Sequence, residues 1–259
     1  MRSLPPKIDL HCHLLPGVDD GPKTLKDALL LARSLADQGF SHVVATPHYI
    51  EDYSRDFRNR VEEAYTRFKG ALEAEKIPLT VYLGGELMLI PGLGDLAKRR
   101  ELPTLNGTRY VLVELPLYQP LPLYMEEVFF TLKARGYIPL LAHPERVEAF
   151  KKNSDKLYKL IQSGVLVQVN MGSLAGLYGS SANRLARKLL QNNLAAFLAT
   201  DSHDASRVNL IAGELKKNSY SLDLLRGNPK KVLDDEEVHI NPKKPALSLA
   251  ERARKILGF

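Results

Sequence analysis

Cysteine occurs once in these 259 residues, at Cys12, so no intramolecular disulfide can staple the chain. Long apolar runs are missing as well. Nothing approaches the roughly 20 residues that span a bilayer, so membrane insertion is not expected. The opening Met1-Arg2-Ser3-Leu4-Pro5-Pro6-Lys7 runs straight into a short strand without the apolar stretch of a secretion signal, and the expected location is cytoplasmic. Acidic residues are the minority charge, 30 against 36 Lys and Arg, for a net charge of +6. A positive surplus invites a nucleic-acid reading. Here the bases are spread along helical segments such as Lys151, Lys152, Lys156 and Lys159, with no dense arm and no interleaved aromatics. A solvated helix surface explains them better, and no nucleic-acid partner is expected.

What is present is ordinary for a globular chain: 44% hydrophobic and 25% charged residues, enough apolar surface for a sizeable core. Short apolar runs alternate with longer helical patterns, the mark of βα units. Strands are expected at Lys7–His11, His42–Thr46, Leu79–Leu83, Tyr110–Leu115, Ile138–Ala142, Val165–Asn170 and Ala195–Thr200. Thr24 reads as an N-cap for a helix carrying Leu25, Ala28, Leu29, Ala32, Leu35 and Ala36, ended by Gly39. Phe57, Val61, Ala64, Tyr65, Phe68 and Leu72 repeat at the same period. Further helices are expected at Leu123–Arg135, Asp155–Ser163 and Ser181–Gln191. The acidic run Asp234–Glu237 begins a tail of about 234–259, whose Leu247–Leu257 reads as an amphipathic basic helix packing on the same single domain. About seven strands with crossovers throughout can close as a barrel or lie open as a doubly wound sheet.

The chemistry decides between them. Strand one ends in Asp9-Leu10-His11-Cys12-His13, and alternation puts Asp9, His11 and His13 on one face with Cys12 on the other. Strand two ends at His48, strand three at Gly84-Gly85-Glu86, and strand four at Glu114 inside an apolar run, where an unpaired carboxylate wants a cation. The fifth gives His143-Pro144-Glu145-Arg146, and the last gives Asp201-Ser202-His203. Each alone has a bland explanation, such as a hydrogen-bonded loop histidine or a Glu paired with Arg. Chance does not explain five of the seven histidines falling at strand ends, with His42 and His239 left to structural roles. In a β/α barrel those ends meet at one mouth, where such folds keep their active sites. Mixed imidazole and carboxylate ligands suit Zn, Mn or Fe. They also outnumber the four that one tetrahedral ion takes, so more than one ion is expected.

These blocks resemble the polymerase-and-histidinol-phosphatase (PHP) superfamily in the H-x-H, T-P-H and D-S-H placements. His13-Leu14-Leu15-Pro16-Gly17-Val18-Asp19-Asp20-Gly21 resembles its capsule-associated bacterial protein-tyrosine phosphatases. So do Val113–Pro116, Ala142–Arg146 and the loop from Val169 to Gly179. The resemblance implies a distorted TIM-like barrel with three divalent ions, most often manganese. It implies metal ligands at His11, His13, Asp20, His48, Glu86, Glu114, His143, Asp201 and His203, with Arg146 as the phosphate-binding arginine. It further implies a substrate in the phosphotyrosine tail of a bacterial tyrosine kinase that controls exported polysaccharide.

On that footing the ions and Arg146 outweigh the four carboxylates, leaving a positive trap for a phosphate dianion. Catalytic work is expected of Arg146 and Asp20, with His48 or His203 relaying a proton. Cysteine-dependent tyrosine phosphatases place Arg six residues after their Cys, whereas Val18 stands six after Cys12. Histidinol phosphatase activity is the alternative within the superfamily. An amidohydrolase-type metalloenzyme is the alternative outside it, and would want a bridging carboxylated Lys or its equivalent where this chain has Glu114.

Overall fold

The protein is described by a computed structural model covering residues 6–50, 53–216 and 223–243. Its apolar runs form β1 (Lys7–Cys12), β2 (Phe40–Ala45), β3 (His48–Tyr49), β4 (Thr80–Leu83), β5 (Glu86–Met88), β6 (Tyr110–Glu114), β7 (Ile138–Ala142), β8 (Leu166–Asn170) and β9 (Phe197–Ala199). All pair in parallel, in the orders β1-β2-β4 and β3-β5-β6-β7-β8-β9. The expected strands His42–Thr46 and Leu79–Leu83 are each followed, after a break, by a further short strand, β3 beyond Thr46-Pro47 and β5 beyond Gly84-Gly85. The backbone bridges the break: Gly84 N donates to Ala45 O at 2.8 Å and Glu86 N to Pro47 O at 3.0 Å. At the other edge Cys12 bridges Ser202, with Asp201 N donating to His11 O (2.8 Å) and His13 N to Ser202 O (3.0 Å). Seven strand positions therefore form a ring that closes at the carboxyl ends. This α/β architecture of parallel strands is the barrel-like alternative of the two that strand count left open.

Helices follow the strands: α1 (Leu25–Asp37), α2 (Arg55–Ala74), α3 (Leu93–Arg99), α4 (Met125–Ala134), α5 (Glu148–Lys152), α6 (Asp155–Gln162), α7 (Met171–Leu174), α8 (Gly179–Gln191), α9 (Ala205–Leu215) and α10 (Asn228–Leu233). Thr24 caps α1 by accepting from Asp27 N, and Gly39 takes the left-handed φ of +84° that stops it. Ser54 caps α2, which buries Phe57, Val61, Ala64, Phe68 and Leu72 on one face. Fully burying each large side chain of that stripe contributes about 1.5–3 kcal/mol.

Strand residues alternate between two cores. Val43, Val111, Val113, Leu141, Val167 and Leu198 join the core that holds the helices. Ile8, Leu10, Val44, Tyr110, Leu112, Leu140, Leu166 and Phe197 fill the other, the interior of the ring. Tyr110 and Leu112 point inward on β6, so period two carries Glu114 into the mouth. On β8 the series Leu166, Gln168, Asn170 does the same. Residues of the described tail close the opposite end: Tyr110 Oη donates to Glu236 O at 2.6 Å and accepts from Val238 N at 3.1 Å. The expected helix at Leu247–Leu257 lies outside the described residues. Among the described residues, no helix is long and apolar enough to cross a membrane.

Candidate metal centre

The structure gathers all nine proposed ligands at the carboxyl mouth. Their donor atoms form four overlapping groups, each within 4.8 Å: His13, Asp20, His48 and His203; His11, Glu86 and His143; His11, His13 and Asp201; His48, Glu86 and Glu114. Glu86 is the hub. Its Oε2 lies 3.1, 3.3 and 3.0 Å from ring nitrogens of His11, His13 and His48, and its Oε1 lies 3.0 Å from His143 Nε2. Glu114 reaches the same region from β6, with Oε1 3.6 Å from His143 Nε2.

The backbone is bent to achieve this. His143 and Asp201 adopt positive φ of 28° and 50° without being glycine, a conformation costing on the order of 1–3 kcal/mol that the surrounding structure must hold. The Gly84-Gly85 break serves Glu86. A Cβ on Gly85 would sit 2.8 Å from the Tyr49 ring, and one on Gly84 would sit 2.8 Å from Leu105. The two glycines thus let the backbone pass close to neighbouring side chains.

Do these residues fit cations? His11 Nδ1 donates to Gln168 Oε1 at 2.9 Å, and His13 Nδ1 donates to the Asp19 carboxylate at 2.7 Å. In the neutral imidazoles both lone pairs then sit on Nε2, and the two Nε2 atoms face each other at 3.2 Å beside Glu86 and Asp201. Lone pairs and carboxylates pointed at one another, in a place with no solvent, make sense around a positive charge. Glu86 Oε2 is buried with no hydrogen-bond donor. Separations of 3.0–3.4 Å suit ligands sharing an ion at about 2.1 Å. With no cation present the same carboxylates draw protons instead: burial would lower the His11 pKa, yet the Glu86 and Asp201 charges lift it to about 9. Burial, then the Glu86 charge, raises Glu114 to about 8. The residues fit bound cations.

One expected ligand-side residue goes elsewhere. Pairing of β1 with β2 slips between Asp9 and Cys12, so strict alternation fails there. Asp9 turns away from the imidazoles and accepts from Thr200 N (3.1 Å), Thr200 Oγ1 and His11 N (3.3 Å). It ties β1 to the last strand. Cys12 points into the helix-facing core, as the alternation of its neighbours predicts. His42 bonds Ser41 and stacks on Tyr82, and His239 is exposed beside Glu237, both outside the centre.

At the open side, Asp20 is 67% exposed in its side chain, with Oδ1 3.4 Å from His48 Nε2 and 3.2 Å from His203 Nε2. Arg146 comes from the turn after β7. Its Nη1 donates to Asp201 Oδ2 at 2.7 Å, and its guanidinium lies 4.3 Å from the centroid of the Tyr178 ring.

Sequence reasoning missed the supports. Asp19 holds both His13 and the His48 backbone NH, Gln168 holds His11, and Asn170 Nδ2 donates to Asp201 Oδ2 at 2.6 Å. Buried Glu145, pushed up to about 7 by burial, accepts from Asn170 N and Ser173 Oγ and so ties the Arg146 turn to the end of β8. Arg207 was also missed. Its Nη1 lies 3.3 Å from Tyr178 Oη and 3.5 Å from His203 Nδ1. A signal existed: Asp204 caps α9 by accepting from Arg207 N, which places a cation in the first helical turn, against the helix dipole.

Fold and donor set define a β/α protein with a candidate metal centre at the carboxyl ends of its strands. More specifically, the chain belongs to the capsular polysaccharide synthesis family CpsB/CapC, which matches residues 7–234. It is 33% identical over 258 residues to the tyrosine-protein phosphatase YwqE of Bacillus subtilis, covering 97% of this chain and 99% of that one. It is 34% identical over 238 residues to a protein of Staphylococcus aureus named putative tyrosine-protein phosphatase CapC, covering 89% and 92%. A chain from the crystal structures of YwqE from B. subtilis and CpsB from Streptococcus pneumoniae, described as metal-dependent tyrosine phosphatases, aligns with a TM-score of 0.82 at 32% identity. That alignment covers 92% of this chain and 99% of the other.

Proposed function

We propose that this protein is a metal-dependent protein-tyrosine phosphatase. The observation that carries the proposal is one cluster: nine imidazole and carboxylate donors gathered around buried Glu86, with the Arg146 guanidinium at its edge. The ligands are His11, His13, Asp20, His48, Glu86, Glu114, His143, Asp201 and His203. Divalent ions held there would polarise the phosphoryl oxygens and lower the pKa of water toward neutrality.

The chain's own groups do the rest. Arg146 presents a planar pair of donors to the non-bridging oxygens, and Arg207 approaches the same mouth through Tyr178. Positive charge fixed in advance stabilises the phosphoryl group as its charge redistributes. The leaving phenolate has a pKa of about 10, so it needs little acid assistance. His48 and His203, facing exposed Asp20, form the solvent-side group that carries the proton.

The finer reading is three divalent ions, with manganese taken from the family resemblance and iron or zinc suiting the same mixed nitrogen and oxygen donors. The protein acts in the cytoplasm, and its substrate is the phosphotyrosine tail of a bacterial tyrosine kinase in polysaccharide export. The test is to purify the protein without chelator, count its metals, and compare phosphate release from a phosphotyrosine peptide, histidinol phosphate and a DNA 3′ end. Two or three ions per chain with manganese-stimulated release from the peptide supports the proposal. Preference for histidinol phosphate, or no hydrolysis after manganese is restored, removes it.

A further inference from the structure

Large apolar side chains stand exposed at seven described positions; three of these, Ile50, Tyr118 and Leu123, lie on loops leaving the carboxyl ends of strands, and a fourth, Leu177, lies in the turn between α7 and α8 that follows β8. Tyr118 is 83% exposed and Leu123 is 100% exposed. Single exposed apolar residues are ordinary and need no explanation. The setting of these is not ordinary.

Tyr118 and Leu123 share the loop from β6 to α4, and that loop is firmly held. Pro116, Pro120 and Pro122 fix φ at three of its positions. Leu117, Leu121 and Tyr124 pack against the core between the exposed residues, and Tyr124 Oη donates to Leu89 O at 3.4 Å. Leu117 O accepts from Glu148 N at 2.7 Å, two residues beyond Arg146. On the other side of Arg146, Leu177 precedes Tyr178, whose ring carries the guanidinium. Strand order β6-β7-β8 puts the three loops side by side, with Arg146 in the middle.

We propose that Tyr118, Leu123 and Leu177 form an apolar rim that docks the polypeptide on either side of the phosphotyrosine, selecting apolar or aromatic neighbours. This rests on the phosphatase reading. The donors His11, His13, Glu86 and His143 are fully buried, so only the phosphoryl group and part of the phenyl ring can descend to them. The residues flanking the phosphotyrosine must lie across the mouth, and the side chains that meet them there are apolar. A rim already stiffened by prolines loses little freedom when it binds, so burying its surface is retained as selectivity. The wild-type preference expected from two or three partly buried apolar contacts is about tenfold in kcat/KM.

The metal-loaded protein is assayed on two phosphotyrosine peptides of equal length, one with Leu and Tyr beside the phosphotyrosine and one with Ser and Gln. p-Nitrophenyl phosphate serves as the small substrate. The expected result is a preference of about tenfold for the apolar peptide, falling to near one in Tyr118→Ser/Leu123→Ser and unmoved in Phe130→Ser, an exposed change on α4 away from the mouth. Equal rates on the two peptides, a preference that survives the double substitution, or an equal fall in Phe130→Ser would each overturn the rim. If the double variant instead breaks up a dimer in sedimentation while the preference stands, the surface belongs to a second copy of the chain and the rim is again overturned. Absence of hydrolysis on both peptides and on p-nitrophenyl phosphate would strike the phosphatase reading itself.

Discussion

His13 and Asp19 share a 2.7 Å hydrogen bond, ring Nδ1 to carboxylate Oδ2, six residues apart in sequence and wholly inside the mouth. The same oxygen accepts from His48 N, and the other carboxylate oxygen accepts from Gly21 N. One side chain thus orients His13, anchors the start of β3 and holds the loop that aims Asp20. Partners that orient a ligating imidazole are worth about 10–100-fold in metal affinity. Asp19→Asn is expected to weaken metal binding by that amount in a chelator competition while circular dichroism stays unchanged. Unaltered affinity would show that the hydrogen bond is incidental.

Glu86 offers the harsher test. It touches four imidazoles, and no other side chain of the cluster touches as many. Glu86→Gln keeps the shape but removes the negative charge and replaces one acceptor oxygen by a donor NH2 that cannot ligate a metal ion. Ion content should fall on elemental analysis, and phosphate release should drop by more than about a hundredfold, beyond what an orienting partner alone controls. A Glu86→Gln variant that keeps its full metal content would move the hub elsewhere.

Much of this centre was legible from the chain because strands have period two and ligands cluster at their ends. His11, Glu114 and Asp201 could be placed at one mouth without coordinates. Asp9 could not, because the register slip in β1 reverses its side chain and no local signal marks a slip. Gln168 and Asn170 were readable as polar residues inside an apolar strand. Their partners, however, are 157 and 31 positions away, and only the closed ring names them. The short strands β3 and β5 were hidden by Pro47 and by the Gly84-Gly85 pair, which look like strand ends. Helix α3 was missed because its seven residues follow Gly92, include Gly94 and carry little periodicity.

Tyr178 has a glycine reserved for it. A Cβ on Gly172 would fall 2.8 Å from the Tyr178 ring and 3.0 Å from Asn170 Oδ1, so only glycine lets the ring lie flat beneath Arg146. The cation–π contact contributes about 0.5–2 kcal/mol. Tyr178→Leu is therefore expected to lower kcat/KM on phosphotyrosine by about 2–30-fold and to weaken inhibition by inorganic phosphate in parallel, with metal content intact. Tyr178→Phe, which keeps the ring but frees Arg207, should recover most of that loss. If Phe and Leu are equally poor, the Arg207 contact matters and the stacking does not.

Cys12 sits between two ligands and takes no part in their chemistry. Its Sγ lies 3.3 Å from Ser202 O in the helix-facing core, and burial raises its pKa well above the ordinary thiol value, away from a reactive thiolate. Serine can keep the contact with Ser202 O but puts a hydroxyl among apolar neighbours, at a cost of about 1–3 kcal/mol. Cys12→Ser should lower Tm by several degrees and leave kcat within about threefold, measured well below that Tm. An inactive Cys12→Ser protein with its full complement of metals would mean that the thiol is the nucleophile. The nine donors around Glu86 would then have to be explained as a structural site.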